Sequence, residues 1–171
     1  MNLLYDEDAH EIVPCLWLGN KKASENVDWM REKNITSVFN ATKNLPFASS
    51  ALHQFRLPVD DNLQQVEIEN MERWAPQVLT DLIRELRSGK CVLVHCHAGR
   101  QRSAAVVAMY LIAKYGMSAD EAMAFVREKR SVAFFPSANF EPAIKGFEHN
   151  FRTALAEARK QRGLASKAKA I

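Results

Sequence analysis

Cys91-Val-Leu-Val-His95-Cys96-His97-Ala98-Gly99-Arg100-Gln101-Arg102-Ser103 is the stretch that decides how this 171-residue chain is read. Its opening run, Cys91 to His95, is apolar and bounded by Gly89-Lys90 on one side and a glycine loop on the other. A short apolar run between turn signals is the pattern of a strand buried on both faces at the centre of a parallel sheet. From Ser103 to Tyr115 the chain is apolar nearly all round a helical wheel, as a buried helix requires, and Gly116 stands where that helix closes. Strand, tight loop and helix in succession place the loop at the strand's carboxyl end, where α/β folds bind ligands.

Toward the N-terminus, Glu11 to Leu18 reads as a first strand ending in the turn Gly19-Asn20, and Ser24 as the cap of a short helix carrying Val27 and Met30. Ile35 to Ala41 and Leu52 to Val59 read as strands. Met71, Trp74, Val78, Leu82 and Leu86 keep helical spacing within a long helix from about Ile68 to Arg87, closed by Gly89. Beyond the central unit, Ser118 and Glu121 form a capping box for a helix to about Arg130. Pro136 then opens a last segment with the apolar set Phe140, Ile144, Phe147, Phe151 and Leu155. Strands alternating with helices predict one α/β domain, a mixed and mainly parallel sheet flanked by helices. Residues 1–157 are assigned to it and 158–171 to a basic tail.

The loop's residue types describe a phosphate chemistry. At the chain's own residue frequencies, His, Cys, Gly, Arg and Ser in this order and spacing arise by chance on the order of once in 10⁵ such chains. A tight loop entering a helix turns successive N–H groups inward into an anion-sized nest, here residues 97–102, backed by the helix dipole. The same field favours the thiolate of Cys96, the nucleophilic form. Arg102 can fork two donors onto phosphate oxygens, Gly99 permits backbone geometry closed to other residues, His95 can hold the loop, and the Ser103 hydroxyl can stabilise the thiolate as leaving group. Together these residues predict attack on phosphorus through a cysteinyl-phosphate. Expelling an alkoxide needs a general acid. Arg56-Leu-Pro-Val-Asp-Asp-Asn62 supplies carboxylates on a loop after a predicted strand, although an aspartate there could equally cap a turn. Zinc ligation by His95, Cys96 and His97 is disfavoured, because consecutive strand residues point to opposite faces.

The loop fits the pattern His-Cys-x5-Arg-Ser/Thr of the cysteine-dependent protein tyrosine phosphatases, and residues 11–151 resemble the compact dual-specificity phosphatases of that superfamily. Glu11 to Asn20 is similar to that family's opening strand. Ile35 to Thr42 resembles its second, whose asparagine commonly braces the phosphate loop, here Asn40. Pro58-Val-Asp-Asp61 resembles the Pro-hydrophobic-x-Asp of the MAP kinase phosphatases, which implies Asp61 as general acid, with Asp60 as second choice. Pro136-Ser-Ala-Asn-Phe140 departs from the family's usual Pro-Asn-x-Gly-Phe. The resemblance implies metal-free hydrolysis of phosphotyrosine and phosphoserine/threonine in proteins without a cofactor. His97, Ala98, Gly99, Arg100, Gln101 and Arg102 would form the phosphate-binding loop, with Cys96, Arg102, Asp61, Ser103 and His95 doing the chemistry.

His97 and Arg100 are basic where phosphoinositide 3-phosphatases and phosphatidylglycerophosphate phosphatases look similar, so a phosphoinositide or phospholipid substrate is the alternative. RNA 5′-triphosphate is a further one, since RNA phosphatases of the superfamily share the loop. A non-catalytic phosphate-binding module is disfavoured by the presence of both Cys96 and the loop aspartates. The structural alternative for His97 and Arg100 is that they face solvent or pair with Asp60. Composition, 47% hydrophobic and 25% charged, excludes a disordered or disulfide-stapled chain. The run Ala104 to Ala113 is half of what a bilayer crossing requires, and the first residues lack a leader's plan, so a cytoplasmic or nuclear protein is expected. Three cysteines predict a reactive or buried thiol, with Cys15 and Cys91 as core side chains and a Cys91–Cys96 disulfide as the alternative under oxidation. Trp17, Trp29 and Trp74 read as core. The net charge of +3 conceals a tail with Arg159, Lys160, Arg162, Lys167 and Lys169 and no acid, which leaves −2 for the rest. That tail reads as a solvated helix end or a contact for an anionic partner.

Overall fold

The computed structural model describes residues 7–168. The chain folds in order into β1 (Ala9–Val13), β2 (Leu16–Gly19), α1 (Lys21–Glu25), α2 (Val27–Glu32), β3 (Ile35–Asn40), β4 (His53–Arg56), α3 (Gln65–Arg87), β5 (Cys91–His95), α4 (Arg102–Tyr115), α5 (Ala119–Lys129) and α6 (Glu141–Ala168). The strands form one sheet in the order β1-β2-β5-β3-β4, with β1 and β2 antiparallel and every other pair parallel. This is the mixed, mainly parallel sheet that the alternation of elements predicts.

β5 is central, and its side chains alternate between two cores. Val92 and Val94 join the larger cluster with α3, α4, α5 and α6, and Leu93 joins the smaller one with Ala23, Met30 and Val38. Burial on both faces explains why the run carries no polar alternation. In register, His95 lies opposite Gly19 of β2 and Asn40 of β3, so three strand ends converge where the Cys96 loop begins. Behind the loop, α4 is buried over ten consecutive residues, Ser103 to Ile112, and Gly116 closes it in the left-handed conformation, φ 70°. The capping box of Ser118 and Glu121 opens α5.

Several boundaries differ from expectation for local reasons. The expected single first strand is a hairpin. Pro14 has no N–H to pair and Cys15 turns at φ 63°, so the chain reverses between β1 and β2. Asn20 and Asn26 cap α1 and α2, while Ser24 lies inside α1 and returns its hydroxyl to Lys21 O. β4 ends at Arg56 because Pro58 breaks the ladder and Val59 N–H donates to Leu57 O. The chain leaves the sheet there as the loop carrying Asp60 and Asp61. Pro136 follows a cis bond but opens no helix; α6 begins at Glu141, and 131–140 is spent instead as a wrap around the phosphate loop.

Two further corrections concern side chains. Trp74 is on the solvent face of α3, 40% exposed, and not in the core. Cys15 and Cys91 are joined as a disulfide. The parallel register Leu16↔Val92 sets the residues just before them side by side, and Val92 N–H donates to Cys15 O. Cys91 and Cys96 stand at opposite ends of β5, roughly 16 Å apart at strand rise, beyond any disulfide. α6 runs past residue 157 without a break, its side chains exposed over 152–166. Lys169 and the first six residues lie outside the described residues.

Candidate active site

The loop 96–102 is held open from outside by its own carbonyls. Lys21 N–H donates to His97 O at 3.0 Å, Arg130 Nε to Gly99 O at 2.8 Å, and Phe134 N–H to Arg100 O at 2.7 Å. Carbonyls bonded outward leave the N–H groups facing inward, which is the arrangement an anion nest requires. Gly99 is obligatory here on two counts. Its φ is +64°, and a Cβ would stand 2.5 Å from Gly19 O. Arg130, fully buried, also donates to Glu7 O at 2.7 Å, so the phosphate loop, the end of α5 and the entry to β1 share one guanidinium.

Cys96 sits at the floor, buried and the one free cysteine of the described residues. The Ser103 hydroxyl lies 3.1 Å from its sulfur. Burial pushes the thiol up, but the Arg102 guanidinium, the Ser103 hydroxyl and the Ser103 and Gly99 amides outweigh it, and the pKa lies below the ordinary thiol value. Gln101, the last residue before α4, makes no side-chain cap to that helix. Its amide goes instead to Ser137 O at 2.7 Å and Phe135 O at 3.3 Å, and its Oε1 accepts Asn139 N–H at 3.0 Å. The first-turn amides of α4 are thereby kept for the loop.

Arg102 Nη1 donates to Val59 O at 3.1 Å, which joins the Cys96 loop to the aspartate loop. The two aspartates part company. Asp60 pairs with Lys43 at 2.9 Å, and its N–H donates to Glu67 Oε2 at 3.0 Å. Lys43 also pairs with Glu67. Burial pushes Glu67 up, yet Lys43 and the Asp60 amide hold its carboxyl below the usual range. Asp61 is exposed and accepts a hydrogen bond from Asn139 Nδ2 at 2.9 Å. Asp60 is paired with Lys43, which reaches it from the turn after β3, and His97 takes the solvent-facing alternative.

His95 is wholly buried, which lowers its pKa to about 4, and Nδ1 lies 3.4 Å from Cys96 O. It is a neutral imidazole beneath the loop. His97 and Ala98 face solvent at the rim, and Arg100 is half-buried. Asn40 differs from expectation. Its side chain donates to Leu45 O at 2.8 Å and accepts from Thr42 Oγ1 at 2.6 Å, bracing the turn after β3 and not the phosphate loop. The strand still supports the loop through its backbone, Ala41 N–H donating to His95 O at 2.8 Å. Lys43, Glu67, Arg130 and Asn139 are the participants that sequence reading misses. Of these only Asn139 carried a signal, as part of the departure at Pro136-Ser-Ala-Asn-Phe140.

A buried cysteine with a lowered thiol pKa, a guanidinium beside it and carboxylates on an adjoining loop are the arrangement of a cysteine-loop phosphatase fold. Residues 16–150 match the family model described as "Dual specificity phosphatase, catalytic domain". The chain is 37% identical over 142 residues to human "Dual specificity protein phosphatase 7", which covers 81% of this chain and 32% of the relative. The chain belongs to the dual specificity phosphatase family. It spans about a third of the length of the curated relatives it matches. Among solved structures it is similar to the human tyrosine phosphatase-like serine/threonine/tyrosine-interacting protein, with TM-score 0.73, 28% identity, 84% of this chain and 97% of that one. A structure of PTPMT1 in complex with PI(5)P shares the fold, with TM-score 0.70, 24% identity, 87% of this chain and 99% of that one.

Proposed function

We propose that the chain hydrolyses phosphomonoesters, phosphotyrosine and phosphoserine/threonine of proteins, through a cysteinyl-phosphate intermediate. The observation that carries this is the Cys96 sulfur, free, with Arg102, Ser103 and the Gly99 and Ser103 amides lowering its pKa at the floor of a loop whose carbonyls bond outward. Sγ attacks phosphorus, and the loop amides with Arg102 bind the three non-bridging oxygens. Asp61 gives its proton to the departing ester oxygen, and as carboxylate it then takes a proton from the water that attacks the phosphocysteine. The Ser103 hydroxyl stabilises the thiolate as it is expelled. Asp61 is preferred to Asp60 because the Asp60 carboxylate is engaged by Lys43 at 2.9 Å, whereas Asp61 is exposed beside the phosphate loop's neighbour Asn139.

The decisive experiment compares wild type with Cys96→Ser, Asp61→Ala and Asp60→Asn. Cys96→Ser abolishes turnover while vanadate still binds, and retained turnover would sink the mechanism. Asp61→Ala slows an aryl phosphate with a poor leaving group by about 10²-fold or more and a good one far less. A larger effect at Asp60 transfers the acid to that residue. A second reading, a phosphoinositide substrate, is favoured by one observation: the basic side chain of His97 stands exposed on the rim of the loop. PTPMT1, which shares the fold, is seen with PI(5)P. Comparing kcat/KM on phosphopeptides, a soluble phosphoinositide and a 5′-triphosphate RNA separates them. A tenfold lead for lipid or RNA, about 1.4 kcal/mol of transition-state preference, would assign His97 and Arg100 to substrate recognition.

A further inference from the structure

Asn139 stands just ahead of α6 and bonds to both halves of the site. Its backbone N–H donates to Gln101 Oε1 at 3.0 Å, and its side-chain Nδ2 donates to Asp61 Oδ1 at 2.9 Å. Gln101 belongs to the phosphate loop and also holds Ser137 O at 2.7 Å. The phosphate loop therefore fixes the segment 135–139, and that segment reaches Asp61 across 78 residues of sequence.

We infer that Asn139 is a positioning residue for the general acid, setting the Asp61 carboxyl relative to the phosphate loop. The inference rests on Asp61 being the acid. An exposed aspartate turns freely about χ1 and χ2, and general-acid catalysis demands that its proton lie along one line toward the leaving oxygen. Donation from Asn139 fixes the carboxyl plane and occupies Oδ1 as an acceptor, so Oδ2 is the oxygen that carries the proton. Backbone geometry gives no competing reason for the asparagine, because residue 139 is not among those with positive φ. The Arg102 bond to Val59 O holds the same loop two residues earlier, so Asn139 supplies orientation and not attachment.

The test measures kcat and KM for wild type, Asn139→Ala, Asp61→Ala and the double variant on 4-nitrophenyl phosphate and phenyl phosphate. Asn139→Ala lowers kcat on phenyl phosphate by about 5–10-fold, changes the 4-nitrophenyl ester less than about twofold and leaves KM alone. In the Asp61→Ala background it adds nothing, because the residue acts only through that carboxyl. Equal slowing of both esters, or the same loss with Asp61 already removed, overturns the inference in favour of a structural role. If Asp61→Ala alone slows both esters equally, the acid assignment itself fails, and that result is read without any Asn139 variant. Should Asn139→Ala not fold, Asn139→Gly removes the same donor at a position any backbone can occupy.

Discussion

At the scale of single residues, the Cys96 thiol pKa is set by a balance between burial and a few polar neighbours. Burial opposes the charge on Cys96, and Arg102, the Ser103 hydroxyl and two backbone amides overcome it. Ser103→Ala removes one of these, so the cysteine pKa rises and the thiolate is lost at higher pH than in wild type. The acid limb of kcat/KM, and of Cys96 alkylation by iodoacetamide, therefore shifts upward in pH; an unshifted alkylation curve would show that Arg102 and the amides suffice. Asn139 works at the same scale through one hydrogen bond. Cys96, Arg102 and Ser103 were legible because their spacing is improbable unless they meet. Arg130 was not, because an arginine at a helix end looks like any solvated charge until the fold buries it against Gly99 O.

At the scale of elements, the aspartate loop is stitched to two neighbours. Lys43 comes from the turn after β3 and Glu67 from the first turn of α3, and between them they hold Asp60 by side chain and by amide. Glu67 is buried, and its carboxyl is held below the usual range by Lys43 and the Asp60 N–H against the push of burial. A depressed carboxylate contributes stability above its unfolded value and loses it as pH falls through the folded one. Lys43→Met thus leaves a buried charge unpaired near neutrality. The urea midpoint should fall below wild type at pH 7, and the gap should close as the pH falls below the ordinary carboxylate range and Glu67 protonates. A gap independent of pH would mean that Lys43 contributes packing and not charge. β5, α4 and α5 were legible from periodicity and caps because their signals are local. The hairpin at Pro14-Cys15 and the early end of β4 were blurred by apolar residues that continue past the turn. Lys43 and Glu67 lie 24 residues apart and show no pattern linking them.

At the scale of the whole molecule, the question is where the catalytic body ends along α6. Phe147 and Phe151 stack at 5.7 Å and pack on the core shared with α3 and α4. At Gly146 a Cβ would first meet the Glu72 carboxylate at 2.7 Å, the movable end of a side chain on α3. Residues 152–166 are exposed, although Arg152 Nη2 donates to Met117 O at 3.4 Å. Arg152 still reaches back to Glu148 at 2.8 Å, one turn earlier, which is an exposed pair of small worth. The charge changes at 157, within the unbroken α6, and Phe151 packs on the core six residues earlier. Truncation after Glu157 keeps both aromatics, so the melting temperature and kcat/KM on 4-nitrophenyl phosphate should match the full chain. Truncation before Phe147 exposes the surface those rings cover and should cost roughly 3–5 kcal/mol, the order expected for deleting large aromatics from a core. If the shorter cut instead collapses turnover while the protein still melts cooperatively, the basic turns beyond 157 act on the site itself, and the catalytic unit is the whole of α6.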